Sequence, residues 1–169
     1  LGNMAFYIVV EKVTNDKGDV VETIYDSALV NVSLPSTLSR VGAYAFDGTK
    51  FFQDALKTEQ LIYLNNWLVG CSADYKANLT KLDATQLQAG TVGLGDMVFQ
   101  GAPLLETVEL PESVKYIGQW SFAYSPKLET VSFPGAVLID DYAFQGCDQL
   151  WDLPSFYEEN YEDSLSEKI

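Results

Sequence analysis

Leu94-Gly95-Asp96-Met97-Val98-Phe99 is followed by Ile117-Gly118-Gln119-Trp120-Ser121-Phe122 and Ile139-Asp140-Asp141-Tyr142-Ala143-Phe144, and preceded by Leu1-Gly2-Asn3-Met4-Ala5-Phe6 and Val41-Gly42-Ala43-Tyr44-Ala45-Phe46. One six-residue phrase thus occurs five times in 169 residues, and the last three copies are spaced 23 and 22 residues apart. A unit this short cannot bury its own apolar face, so the copies must stack and share a core. The chain therefore reads as a solenoid before any local structure is assigned.

A second recurrent segment lies between the phrases. Leu105-Glu106-Thr107-Val108-Glu109-Leu110-Pro111 and Leu128-Glu129-Thr130-Val131-Ser132-Phe133-Pro134 share one pattern, and Leu29 to Pro35 opens in the same way. Val108 and Leu110 flank a polar Glu109, and Val131 and Phe133 flank Ser132, so a short strand points the apolar pair inward and the polar residue outward. The Pro that follows has no N–H for a ladder and ends the strand. Stacking predicts that 30–34, 80–84, 106–110 and 129–133 are neighbouring parallel strands of one sheet. In the phrase itself, Gly marks a turn where a side chain would crowd the adjacent backbone. Asp140 replaces that Gly in the last copy, and Asp tolerates left-handed backbone better than most residues. Phe46, Phe99, Phe122 and Phe144 are the expected buried column on the convex side.

Two stretches are too long to be single units. Phe46 to Phe99 spans 53 residues; within it, Leu61 to Leu64 and Trp67 to Gly70 flank Asn65-Asn66, a pair that accepts positive φ and suits a tight hairpin. Phe6 to Thr14 and Asp19 to Tyr25 flank Asn15-Asp16-Lys17-Gly18 and form a second hairpin excursion. The reading is a solenoid domain over 1–153 with insertions at about 7–28 and 50–78, followed by an acidic tail or cap over 154–169 in which a short helix starts near Ser155. Leu1 falls inside a copy of the phrase, as expected of a trimmed piece of a longer polypeptide, and no leader or membrane-spanning run stands out in it.

These residues resemble the BspA-like leucine-rich repeats of bacterial surface proteins, whose unit runs Leu-x-x-Val-x-apolar-Pro and then Ile-Gly-x-x-Ala-Phe-x-x-Cys, with Cys147 at the family's Cys position. The resemblance covers roughly residues 29–153, and a hairpin with a Trp before the resumed repeat resembles the longer units of the family. It implies an α/β solenoid, mostly β, wound as a right-handed superhelix with short parallel strands on one face and two β-hairpin excursions. It also implies an extracellular or cell-surface location in a bacterium. The relatives are described as adhesins, so the implied partner is an unknown protein or glycan, such as a host extracellular-matrix protein.

Composition narrows the chemistry. With 24 Asp and Glu against 10 Lys and Arg, the net charge of -14 disfavours nucleic acid, whose binding depends on Lys and Arg neutralising phosphates, and disfavours anionic membrane surfaces as well. His is absent, which removes Ser-His-Asp and Cys-His catalysis and the usual zinc sites. A two-carboxylate glycosidase stays chemically open, although abundant acid more often serves solvation. No catalytic residue, metal or cofactor is assigned. Cys71 and Cys147 stand in different contexts and are expected to be unbridged, mostly buried thiols. Asn31-Val32-Ser33 and Asn78-Leu79-Thr80 match the glycosylation sequon but fall in expected strands. Asp140, Asp141, Asp148 and Asp152 lack the spacing of a calcium loop.

The function expected is non-catalytic recognition through the outward strand residues: Thr107 and Glu109 beside Thr130 and Ser132, with Lys81 and Asp83, then Asn31 and Ser33, on the preceding coils. The hairpin around Asn65-Asn66-Trp67 is the next place to look. The alternative is a structural spacer or stalk domain of a larger surface protein.

Overall fold

The computed structural model describes residues 11–14, 20–24, 38–136 and 138–151. Strands β1 (Glu11–Thr14) and β2 (Val20–Ile24) pair antiparallel, the hairpin expected from the first excursion. The segment 30–34, with Asn31 and Ser33, and the tail after Trp151 lie outside the described residues.

Among the described residues, the solenoid is seen from Leu38 to Trp151. Its first ladder joins β5 (Lys81–Asp83), β7 (Thr107–Glu109) and β9 (Thr130–Ser132), parallel and in register, so three of the four expected strands are neighbours in one sheet. Val108 and Leu110 are buried, whereas Val131 is half-buried because β9 is an edge strand of this sheet. After β7 and β9 a Pro ends the ladder, whereas β5 runs into Ala84 and Thr85, and Pro111 O accepts the N–H of Val114 at 3.0 Å to turn the chain.

A second sheet, which the sequence reading did not anticipate, is built where each phrase begins. Here β6 (Gly93–Leu94), β8 (Tyr116–Ile117) and β10 (Leu138–Ile139) are parallel neighbours. The predicted hairpin is β3 (Leu61–Leu64) and β4 (Trp67–Cys71), with Asn65 at φ 53° in the turn. It is not a detached excursion: β4 pairs parallel with β6 and extends this sheet to five strands.

The phrases stack as turns. Asp96 N donates to Val41 O at 2.9 Å, Gly118 N to Leu94 O at 3.0 Å and Asp140 N to Ile117 O at 2.9 Å. A Cβ at Gly118 would lie 2.7 Å from Asp96 N, so the glycine is required by close approach of two backbones. The left-handed residue, however, is the fourth of the phrase rather than the second. Tyr44, Met97, Trp120 and Tyr142 have φ of 56, 61, 54 and 61°, which corrects the expectation that Asp140 would adopt that conformation. Two residues past each Phe, Gly48, Gly101 and Gly146 also have positive φ, and Tyr124 occupies the same place at φ 58°.

Phe99, Phe122 and Phe144 form the core column, stacked with ring centroids 5.5 Å apart at each step. Phe46 is equally buried but belongs to a second cluster with Val41, Leu64 and Trp67, against which Phe51 and Phe52 pack. Cys147 is buried, its Sγ donating to Phe122 O at 3.3 Å, and both cysteines are free thiols.

The insertion also supplies two helices that the sequence reading missed. Helix α1 (Lys50–Thr58) starts at Thr49, whose buried Oγ1 accepts from Phe52 N at 3.2 Å, and Lys50 and Lys57 both pair with Asp54 along it. The signal was present in Phe51, Phe52, Ala55 and Leu56, whose spacing is helical. Helix α2 (Ala73–Asn78) is capped by Ser72 in the same way. Asn78, expected in a strand, ends this helix and turns its side-chain amide back to Asp74 O at 2.9 Å.

Phe122→Ala is expected to cost about 3 to 5 kcal/mol, because it removes the middle ring of the stack and leaves a cavity lined by two others. Urea unfolding followed by circular dichroism measures it, and an unchanged midpoint would show that the column does not carry the core.

Candidate binding face

Strand alternation places three residue pairs on the outer surface of the first sheet, and its register aligns them in two rows. Lys81, Thr107 and Thr130 form one; Asp83, Glu109 and Ser132 form the other. The six described residues of the expected column are therefore side by side on one sheet.

The column is internally connected. Lys81 Nζ lies 2.8 Å from Glu109 Oε2 on the next coil and 3.5 Å from Asp83 Oδ2 on its own strand. Thr130 Oγ1 lies 3.3 Å from Thr107 Oγ1. The bond to Glu109 holds the Lys81 ammonium above its ordinary pKa, and Thr85, donating to Asp83 Oδ1 from both hydroxyl and backbone, holds the Asp83 carboxyl below its own. Gln86 fixes the end of β5, accepting from Asp83 N and donating to Lys81 O, each at 2.8 Å. The face thus offers hydroxyls and a solvated ion pair on a rigid sheet.

At the hairpin tip Asn65 and Asn66 are exposed, but the Trp beside them is not. Trp67 is buried and stacks on Tyr116 at 5.5 Å, so it is a core residue and not a ligand platform. Among the described residues no cluster of metal-ligating side chains occurs, and no helix is long and apolar enough to cross a membrane.

A polar cluster that sequence reasoning missed spans the phrases on three coils. Arg40 donates to Asp96 Oδ2 from Nη2 at 2.6 Å and from Nε at 3.2 Å, and its Nη2 also reaches Gln119 Oε1 at 3.2 Å. Asp96 Oδ1 accepts from Gln119 N at 3.0 Å, and Asp140 Oδ2 lies 3.4 Å from Arg40 Nε. Asp96 is almost wholly buried, so Arg40 is the counter-charge that lets a carboxylate sit there. The only sequence signal was the place of Asp96 and Gln119 at the third position of the phrase. The acidic residues Asp140 and Asp141 are thereby tied to a guanidinium clamp, and Asp152 lies outside the described residues.

An imperfect solenoid with parallel strands on two sides and a polar ladder on one of them is the architecture of a leucine-rich repeat. The BspA-type leucine-rich repeat region (6 copies) matches residues 22–151, most of the chain, and the protein belongs to that family. The family is typical of bacterial surface proteins, and its repeat is generally a non-catalytic interaction fold. No curated protein and no solved structure matches the chain significantly.

Asp140 yields a test of the clamp. Burial raises its pKa and Arg40 only partly opposes this, so its ionised form is disfavoured in the fold. With the folded pKa above the unfolded one, its contribution to stability is lost as pH rises through the folded value. Asp140→Asn should therefore gain stability relative to the parent as pH is raised from about 3 to about 7. Thermal unfolding at several pH values measures this, and a relative loss would show that the bond to Arg40 outweighs burial.

Proposed function

We propose that the chain is a non-catalytic binding module of a bacterial cell-surface or secreted protein, and that it meets a protein or glycan through the face of β5, β7 and β9. The observation that supports this is the in-register column of outward Lys81, Asp83, Thr107, Glu109, Thr130 and Ser132. A parallel ladder holds these groups at fixed spacing, so a ligand meets a surface whose order is already set. Small hydroxyl-bearing side chains permit close approach, and the one cation is matched by two carboxylates, which favours a hydrogen-bonding partner over a strongly charged one. A host extracellular-matrix protein is the partner class that the family resemblance suggests.

The spacer reading keeps one specific support. The column is satisfied within itself through the Lys81–Glu109 pair and the Thr107–Thr130 contact, as a surface that binds nothing would also be. A binding screen separates the two. The domain is passed over immobilised matrix proteins and glycans, and then Thr107, Glu109, Thr130 and Ser132 are replaced together by Arg. A ligand whose affinity falls by about tenfold or more, with the fold intact, supports the face as the site. Unchanged affinity moves the site elsewhere, and a blank screen favours the spacer.

A further inference from the structure

Among the described residues, the stack of turns departs from its pattern at the step between the Val41 and Leu94 phrases. Phe99 N donates to Ser121 O and Gly101 N to Ala123 O, both at 2.8 Å; one coil on, Phe122 N donates to Ala143 O and Tyr124 N to Gln145 O. The equivalent carbonyls one coil earlier belong to Val98 and Gln100. They are held by the insertion instead: Cys71 Sγ donates to Val98 O at 3.0 Å, and Lys76 Nζ donates to Gln100 O at 2.9 Å. Burial pushes the Cys71 thiol up to about 11, against a smaller lowering by Lys76, so it stays protonated at neutral pH and keeps its proton for that bond.

This substitution opens a groove of about 300 Å³ between the Tyr44–Gly48 turn, helices α1 and α2, and the Met97 turn. Its lining is apolar, with Phe52 and Leu56 from α1, Val69 from β4, and Met97 and Val98 from the next coil. Gly70 shapes its side: a Cβ there would lie 2.6 Å from the Phe52 ring, so that ring lies flat across β4. Tyr44 stands on the lining and is half exposed.

Three charged residues also line the groove, Lys76, Asp47 and Asp96. Asp96 is neutralised by Arg40. Among the described residues, Lys76 Nζ donates to a backbone carbonyl and neither Lys76 nor Asp47 makes an ion pair. Among the described residues, therefore, one ammonium from α2 and one carboxylate from the facing turn have no ion-pair partner beside an apolar wall. An apolar ligand carrying both a carboxylate and an ammonium complements them; a plain anion or a plain cation meets one like charge. An apolar cavity of about 150 Å³ takes one benzene, so the space suits a single ring with a short charged head.

We propose that this groove is a binding site for an apolar zwitterion of the size of an aromatic amino acid, its ring between Phe52, Leu56 and Met97, its carboxylate on Lys76 and its ammonium on Asp47. The site shares no residue with the strand-face column, so either can fail without the other.

The test titrates the whole chain by calorimetry with L-phenylalanine, with hydrocinnamate, which lacks the ammonium, and with phenethylamine, which lacks the carboxylate. Saturable binding of L-phenylalanine at roughly millimolar concentration or below is expected, with each truncated probe weaker by roughly three- to tenfold. Lys76→Gln should remove the advantage of L-phenylalanine over phenethylamine, and Asp47→Asn its advantage over hydrocinnamate. Ala73→Trp fills the groove from an exposed first-turn position of α2 and should abolish binding of all three at unchanged helix content. No saturable binding by the parent up to about 10 mM, affinity for L-phenylalanine no better than for both truncated probes, or binding that survives Ala73→Trp would each overturn the proposal.

Discussion

Each turn of this solenoid is held against the next by a backbone N–H aimed at a carbonyl one coil away. The bonds Asp96 N to Val41 O, Gly118 N to Leu94 O and Asp140 N to Ile117 O are made at 2.9 to 3.0 Å, and the rest of the architecture follows from how close they bring the chains. At that separation Gly118 has no room for a Cβ, and the phenylalanine rings of successive coils meet at 5.5 Å. The same turn puts a bulky residue into left-handed backbone on four coils, at a cost of about 1 kcal/mol or more each. Ladder bonds worth about 1 kcal/mol apiece and the burial of each Phe offset that cost, which is why a strained conformation recurs as a rule of the fold.

The two proposed sites rest on two different consequences of this regularity. Where the repeat is kept, in β5, β7 and β9, register turns single outward residues into rows, and a polar surface of fixed geometry results. Where the repeat is broken, between the turns at Tyr44 and Met97, the inserted hairpin and helices take over carbonyls that another coil would have filled. The hairpin joins the second sheet through β4, so the insertion is stapled into the solenoid while leaving an apolar groove at its outer edge. The Arg40 clamp works on the same scale, reaching Asp96, Gln119 and Asp140 across three coils with one side chain.

Local pattern was legible in the residues: the repeat, the strand segments of three coils, the Asn65 turn, the buried Phe rings and the free thiols. These depend on neighbours in sequence or on a spacing that every copy repeats. The composition of the outer column was legible for the same reason, since strand alternation decides which of Thr107, Val108 and Glu109 faces out. The pairing of Lys81 with Glu109 was not, because it requires the register between two coils 28 residues apart.

The sequence by itself determined that this chain must stack, which apolar side chains of the strand segments and which Phe rings of the phrases are inside, and that the histidine needed for the usual imidazole and zinc chemistry is absent from these residues. Tertiary structure alone decided that the parallel strands form two sheets, that the hairpin is the continuation of one of them, and that Trp67 is core. It also decided that a lone arginine is the counter-charge for a buried Asp96 and that the insertion opens a groove. The physical reason is one of range. Burial pattern and turn chemistry act within a few residues and repeat with the unit, whereas ladder partners, ion pairs and cavities are set by which coil lies beside which, and an insertion changes that without leaving a periodic mark.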